Sequence, residues 1–179
     1  MVAISLPDGT VRQYDGAVTA GEIATDIGPG LAKAALVARV DGELADLALP
    51  IEADAAVEIV TRQSDEALEI LRHDCAHVLA EAAKEIWPEL QVTIGPAIED
   101  GFYYDFAKRE PFTPDDLVKL EARMREIVAR DEPVERQVWP RQQAIDYFQS
   151  IGEHYKAEII ADLPEDEDIR VYSQGGFTD

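Results

Sequence analysis

Apolar and polar residues alternate from the start of the chain. Val2-Ala3-Ile4-Ser5-Leu6 reads as a strand, Pro7-Asp8-Gly9-Thr10 as a turn, and Val11-Arg12-Gln13-Tyr14 as a second strand. The period then lengthens. Thr19-Ala20-Gly21-Glu22 has the form of a capping box and opens a helix with Ile23, Ala24 and Ile27 inward, stopped by Gly28-Pro29-Gly30. Leu36 to Val40 is a strand, Asp41-Gly42 a turn, and Val57-Glu58-Ile59-Val60 a closing strand. The order ββαββ predicts a small mixed sheet packed on one helix over residues 1–62.

A second pattern begins at the junction Gln63 to Glu66. Ser64 is placed to cap a long helix, with Asp65 and Glu66 at its positive end. Leu68, Leu71, Cys75, Val78, Leu79, Ala82, Ala83 and Ile86 recur at three and four, and Trp87-Pro88 ends the run. On this reading Cys75 is a small buried hydrophobe, and His73 and His77 lie beside the apolar stripe, partly buried. Gln91 to Gly95 reads as a strand, Asp100-Gly101 as a tight turn, and Phe102 to Phe106 as a strand of aromatics. Thr113-Pro114-Asp115-Asp116 opens another helix that runs to about Arg130. After it come a strand (Val134 to Trp139), a helix (Arg141 to Ser150), a shorter helix through His154 to Ile159, an acidic loop and a strand from Ile169. The expected fold class is α+β: a first domain over 1–62 and a helix-on-antiparallel-sheet domain over 63–179.

Composition narrows the functional classes. An apolar fraction of 46% with 30% charged residues fits a globular protein rather than a disordered one. The net charge of −21 argues against a general nucleic-acid coat, which needs clustered cations. Residues 1–62 hold ten acidic side chains against Arg12, Lys33, Arg39 and Arg62, so that domain offers RNA no electrostatic support. Eight of the sixteen basic residues fall between Lys108 and Arg141, but acids interleave with them, as on a solvated helix face. A single cysteine excludes an internal disulfide and fits a reducing, cytoplasmic setting. No leader pattern and no membrane-spanning run is present.

The residues most suggestive of chemistry are His73 and His77. Four apart on a helix, they face one space about 6 Å apart along the axis. A zinc site needs three or four ligands; Cys75 points elsewhere on the helix and only His154 remains, so no metal is expected. There is no HExxH, no phosphate-binding glycine loop and no GxSxG. Two readings stay open: a pocket in which imidazoles position water or a substrate hydroxyl, and a pair of structural histidines. Tyr104 can orient a ligand from a sheet surface, or be core with a wet hydroxyl.

Two stretches carry a family resemblance. Leu6-Pro7-Asp8-Gly9-Thr10 to Tyr14, with the Asp41 to Leu47 hairpin DGELADL, resembles the TGS domain, a ubiquitin-like β-grasp module. Arg72 to Pro88 (RHDCAHVLAEAAKEIWP), followed by Ile94 to Phe106 (IGPAIEDGFYYDF), resembles the HxxxH editing domain of the threonyl-tRNA synthetase family, in the same collinear order. The resemblance implies hydrolysis of serine wrongly attached to threonine tRNA, with His73 and His77 in the pocket contacting substrate or water. It further implicates Tyr104 in substrate binding and Lys156 and Asp179 in catalysis, although an ordinary exposed charge remains an equal reading of the last two. It also implies that the pattern continues past Asp179. The aminoacylation core with its ATP, magnesium and zinc, and the homodimer contact, would then lie outside these residues, and the segment alone would not charge tRNA. The competing reading is a non-catalytic RNA- or protein-binding module; a metal-dependent hydrolase of the alanyl-tRNA-editing type is a third.

Overall fold

The computed structural model describes residues 1–179, which fall into two compact units, Met1–Leu71 and Arg72–Asp179. No helix is long and apolar enough to cross a membrane.

In the first unit, β1 (Val2–Ser5) pairs antiparallel with β2 (Val11–Tyr14) and parallel with β7 (Ala55–Thr61). β4 (Ala35–Val40) and β5 (Glu43–Ala45) complete a sheet of order β2-β1-β7-β4-β5. A short ladder joins β3 (Val18–Thr19) to β6 (Pro50–Ile51). This is the β-grasp arrangement, with α1 (Ala20–Ile27) placing Ile23 against Ile4, Val18 and Val57. The capping box forms as the sequence predicts: Glu22 N–H donates to the Thr19 hydroxyl and Thr19 N–H to the Glu22 carboxylate. Asp41 (φ 49°) and Gly42 (φ 93°) make the tight turn between β4 and β5 in left-handed conformations.

Three details differ. Ile27 is exposed rather than inward. Helix α1 stops at Gly28 as expected, but Pro29 at once supplies the first position of a second short helix that was not expected, α2 (Pro29–Ala34). The Ser64 hydroxyl accepts from Thr61 N–H and so finishes β7 instead of capping the next helix.

That helix, α3 (Ala67–Ile86), continues into the second unit. Its buried line runs through Ala76, Ala80 and Ala83, while Leu71 and Cys75 are exposed. The expected stripe holds in its second half, where Val78, Leu79, Ala82, Ala83 and Ile86 pack with Leu90, Val92, Phe106 and Phe177. In its first half Leu68, Leu71 and Cys75 are exposed, and Ala76 and Ala80 are buried instead. Helix α4 (Pro114–Arg130) closes this core with Leu120 and Ile127 and is capped by Thr113 and Asp116.

The aromatic stretch is not one strand. β8 (Gln91–Val92) pairs with β11 (Phe106–Ala107), and β9 (Ala97–Ile98) with β10 (Gly101–Phe102). Five steps from Val92 to Ala97 oppose four from Phe106 to Phe102, so one extra residue bulges near Gly95-Pro96. Proline lacks the N–H a continuous ladder needs.

The remaining layer is a sheet of β12 (Val134–Trp139), β13 (Ile169–Gln174) and β14 (Phe177–Thr178). Helices α5 (Arg141–Ser150) and α6 (His154–Asp162) cover it, burying Phe148, Ala157 and Ile160 against Ile169 and Val171. Fold class α+β holds for both units.

Candidate functional site

The bulge, α3, α6 and the end of β14 converge on one carboxylate. Asp179 extends the β13–β14 hairpin by exchanging both backbone hydrogen bonds with Tyr172, at 2.7 and 2.8 Å. This fixes the direction of its side chain, which is 9% exposed. One carboxylate oxygen lies 2.9 Å from His77 Nδ1; the other is in direct contact with the Lys156 ammonium. The Tyr104 hydroxyl sits 3.4 Å from both oxygens. The His73 ring stands 4.7 Å from that of His77, centroid to centroid, which a one-turn spacing on α3 produces.

Of the residues singled out in the sequence, His77, Tyr104, Lys156 and Asp179 are thus brought together, with His73 beside His77. Lys156 and Asp179 are not ordinary exposed charges: both side chains are about nine-tenths buried. His73 is exposed, not partly buried, since it lies a turn nearer the exposed start of α3. Cys75, expected to be buried, lies on the exposed first half of α3 and is a free thiol. No group of three or more His, Cys, Asp or Glu has metal-holding geometry, and the one carboxylate next to His77 is already taken by Lys156.

The electrostatics follow from this packing. Burial, and then the nearby Lys156 ammonium, push the His77 imidazole below its ordinary value; Asp74 pulls weakly upward. The neutral ring donates Nδ1–H to Asp179, which leaves the Nε2 lone pair as the basic atom. Burial lowers the Lys156 amine to about 8, against the negative charge of Glu153. Asp179 in contact acts with Glu153 to hold the ammonium form at neutral pH. Burial, then Glu153, raise the Tyr104 phenol, which therefore stays protonated and can donate.

A cleft of about 530 Å³ reaches this cluster at Lys156 and Asp179, while His73, His77 and Tyr104 lie outside its wall. Lys156 and Asp179 lie in its wall, Thr93, Ile94, Phe148 and Ile160 give it apolar surface, and Asp166 to Asp168 form an acidic lip. That volume suits a small polar molecule or one end of a larger one.

Some contributors were not visible in the sequence reading. Gly95 leaves the space that the Tyr104 ring fills, because any Cβ there would overlap it. Gly-Pro after a strand is a signal for such a site, but it names no partner. Lys84, Gln91 and Glu153 tie α6 to the bulged hairpin, and no local pattern marks these three polar side chains as partners.

Comparison with known proteins then gives this geometry a family context. Residues 2–61 match the TGS domain. The whole chain is 61% identical over 179 residues to threonine–tRNA ligase of Rhodospirillum rubrum, covering 28% of that protein. It is 62% identical to threonine–tRNA ligase of Granulibacter bethesdensis and 58% identical to that of Rickettsia akari, again over 100% of this chain and 28% of each relative. The chain therefore spans just over a quarter of the length of these curated relatives.

Proposed function

We propose that the chain is the amino-terminal TGS and editing portion of a cytoplasmic threonine–tRNA ligase, and that its second unit hydrolyses seryl-tRNA mischarged on threonine tRNA. The observation that carries this reading is the Asp179 carboxylate shared by His77, Lys156 and Tyr104 at the wall of a cleft. Identity of 61% over all 179 residues to a segment that makes up 28% of a threonine–tRNA ligase supports the assignment. In the complete ligase, ATP-driven attachment of threonine, with ATP, magnesium and zinc, belongs to regions this chain does not cover, as does dimerisation.

The chemical need is specific. Serine differs from threonine by one methyl, and a missing methyl discriminates by only about 1–3 kcal/mol in a pocket. A second, hydrolytic site supplies the remaining accuracy. In the proposed reaction a water oxygen attacks the ester carbonyl carbon while its proton passes to His77 Nε2. Asp179 holds His77 in the required tautomer and orients the substrate ammonium. The Lys156 ammonium and the Tyr104 hydroxyl face the negative charge that develops on the carbonyl oxygen. The bond to the ribose oxygen then breaks, that oxygen takes the proton from His77, and serine and free tRNA leave. His73, next to His77 and exposed, contacts the terminal adenosine or the water.

The test is release of serine from seryl-tRNA by the complete ligase carrying His77→Ala, Lys156→Met or Asp179→Asn. The proposal expects editing lost with threonine charging retained. Normal editing in all three variants, accompanied by a lower melting temperature, would leave the histidines as structural members of a binding module.

A further inference from the structure

The Lys156 ammonium meets Asp179 only if the first turn of α6 is held in one place, and the structure devotes a buried polar clasp to that turn. Glu153 is the residue that precedes α6, yet its carboxylate makes no capping bond to the helix. It is 2% exposed and turned instead toward other elements. One oxygen contacts Lys84 of α3; the other accepts Val92 N–H of β8 at 2.9 Å. Lys84 also donates to Pro88 and Leu90 carbonyls, each at 2.8 Å, so its three protons are all committed. Gln91 completes the clasp. Its amide donates to Gly152 C=O at 2.6 Å and accepts from His154 N–H at 2.9 Å, as a neighbouring strand would.

We propose that Lys84, Gln91 and Glu153 are positioning residues of the hydrolytic site, fixing the start of α6 so that Lys156, three residues past Glu153, presents its ammonium to Asp179. The inference rests on the editing reading for its consequence in catalysis, though not for the geometry. A buried clasp of this kind is satisfied only when all members are present; deleting one leaves the others desolvated and unpaired. It also supplies charge. Facing Lys156 are Asp179 in contact, His77 and Tyr104 on the same carboxylate, Asp166 to Asp168 and Arg170 around the cleft, and Glu153 at the base of its own helix. Besides Asp179 in contact, Glu153 favours the ammonium, since its negative charge acts against the effect of burial.

Two isosteric or near-isosteric variants separate position from charge. Glu153→Gln keeps an acceptor for Val92 N–H and removes the charge. Gln91→Leu removes the clasp bonds and keeps the charge. Side-chain NMR titration of Lys156 in the 179-residue chain reads both without any substrate. Glu153→Gln is expected to lower the Lys156 midpoint by about one unit, and Gln91→Leu to broaden or split the Lys156 resonance with little change in midpoint. In deacylation of seryl-tRNA, both variants are expected to reduce kcat at least tenfold with KM changed less than threefold, and Glu153→Gln to move the alkaline limb of the pH profile to lower pH. Glu153→Asp, which restores the charge, is expected to recover most of the profile. A Lys156 titration and resonance identical to wild type in both variants would overturn the proposal, whatever happens to stability. An inactive wild type with the titration shifts intact would instead overturn the editing reading and leave the clasp standing.

Discussion

Gly95 and Tyr104 occupy complementary space: a side chain at 95 would overlap the Tyr104 ring. The φ of Gly95 is not in the left-handed region, so glycine is required here for room, not for backbone freedom. Gly95→Ala should force the ring from Phe106, on which it stacks at 4.8 Å, and from Asp179. Overpacking of this kind costs about 1–3 kcal/mol. Both tryptophans, Trp87 and Trp139, lie in the second unit, so denaturant unfolding followed by their fluorescence reports that unit alone. Unchanged stability together with unchanged deacylation would show that the Tyr104 ring does not need the space at Gly95.

Breaking the Lys156–Asp179 pair should be costly from either side. Both side chains are nearly buried, and an unpartnered buried charge destabilises by roughly 3–5 kcal/mol. Asp179→Asn and Lys156→Met are each expected to lose about that much, and to slow ester hydrolysis roughly a hundredfold or more. The double variant removes both charges and is expected to be more stable than either single variant, while staying inactive. A double variant whose loss equals the sum of the singles would show that the two groups do not interact.

His77 gives the second unit an acid-sensitive window. Burial and Lys156 hold the ring below its ordinary 6.5. Well below its folded value the ring is charged in both states, and above 6.5 it is neutral in both. Between the two, the unfolded chain binds more protons, so stability rises with pH through that window and is lost on acidification. Unfolding free energy measured from pH 5 to 7 should therefore climb and level off near 6.5, and deacylation should follow the same limb. A rate that continues to rise steeply above pH 7 would exclude neutral His77 as the group being titrated.

Cys75 should behave as an ordinary exposed thiol. It stands between the two histidines in sequence but on a different face of α3, and nothing couples it to Asp179. Alkylation by iodoacetamide is expected to be complete in the folded protein without loss of deacylation, and Cys75→Ser to keep the rate within twofold. Inhibition by alkylation that Cys75→Ser abolishes would place the thiol closer to the substrate than the structure does.

Much of the fold was legible in the sequence. The Thr19–Glu22 and Thr113–Asp116 caps, the Asp41-Gly42 turn and the α4, α5 and β12 spans are all written in local residue chemistry. The errors arose where tertiary packing chose between local options. The periodicity of α3 names its core face correctly from Val78 to Ile86, but nothing local shows that the preceding turns, with Leu68, Leu71 and Cys75, stay exposed. Phe102 to Phe106 has the composition of a strand, but the bulge across from it at Gly95-Pro96 divides it. In the site, spacing and residue type raise His77 and Tyr104 as candidates but leave a structural reading of each equally open. Lys156 and Asp179 became more than charges through the family resemblance, and their burial needed the structure. Lys84 and Glu153 are 69 residues apart, and no local pattern marks two oppositely charged residues at that distance as partners.

The Tyr172–Asp179 backbone pair closes only a small hairpin, but what it closes onto is assembled from α3, the bulged hairpin and α6. Such non-local contacts form late, after the loops between them have closed. The cluster therefore depends on one strand end: opening the hairpin at Gly175-Gly176 releases Asp179 from His77, Lys156 and Tyr104 at once. While the unit is being made or is transiently open, its imidazoles and ammonium are merely solvated side chains. On the proposed editing reading, an ester within reach is then no more exposed to attack than in water.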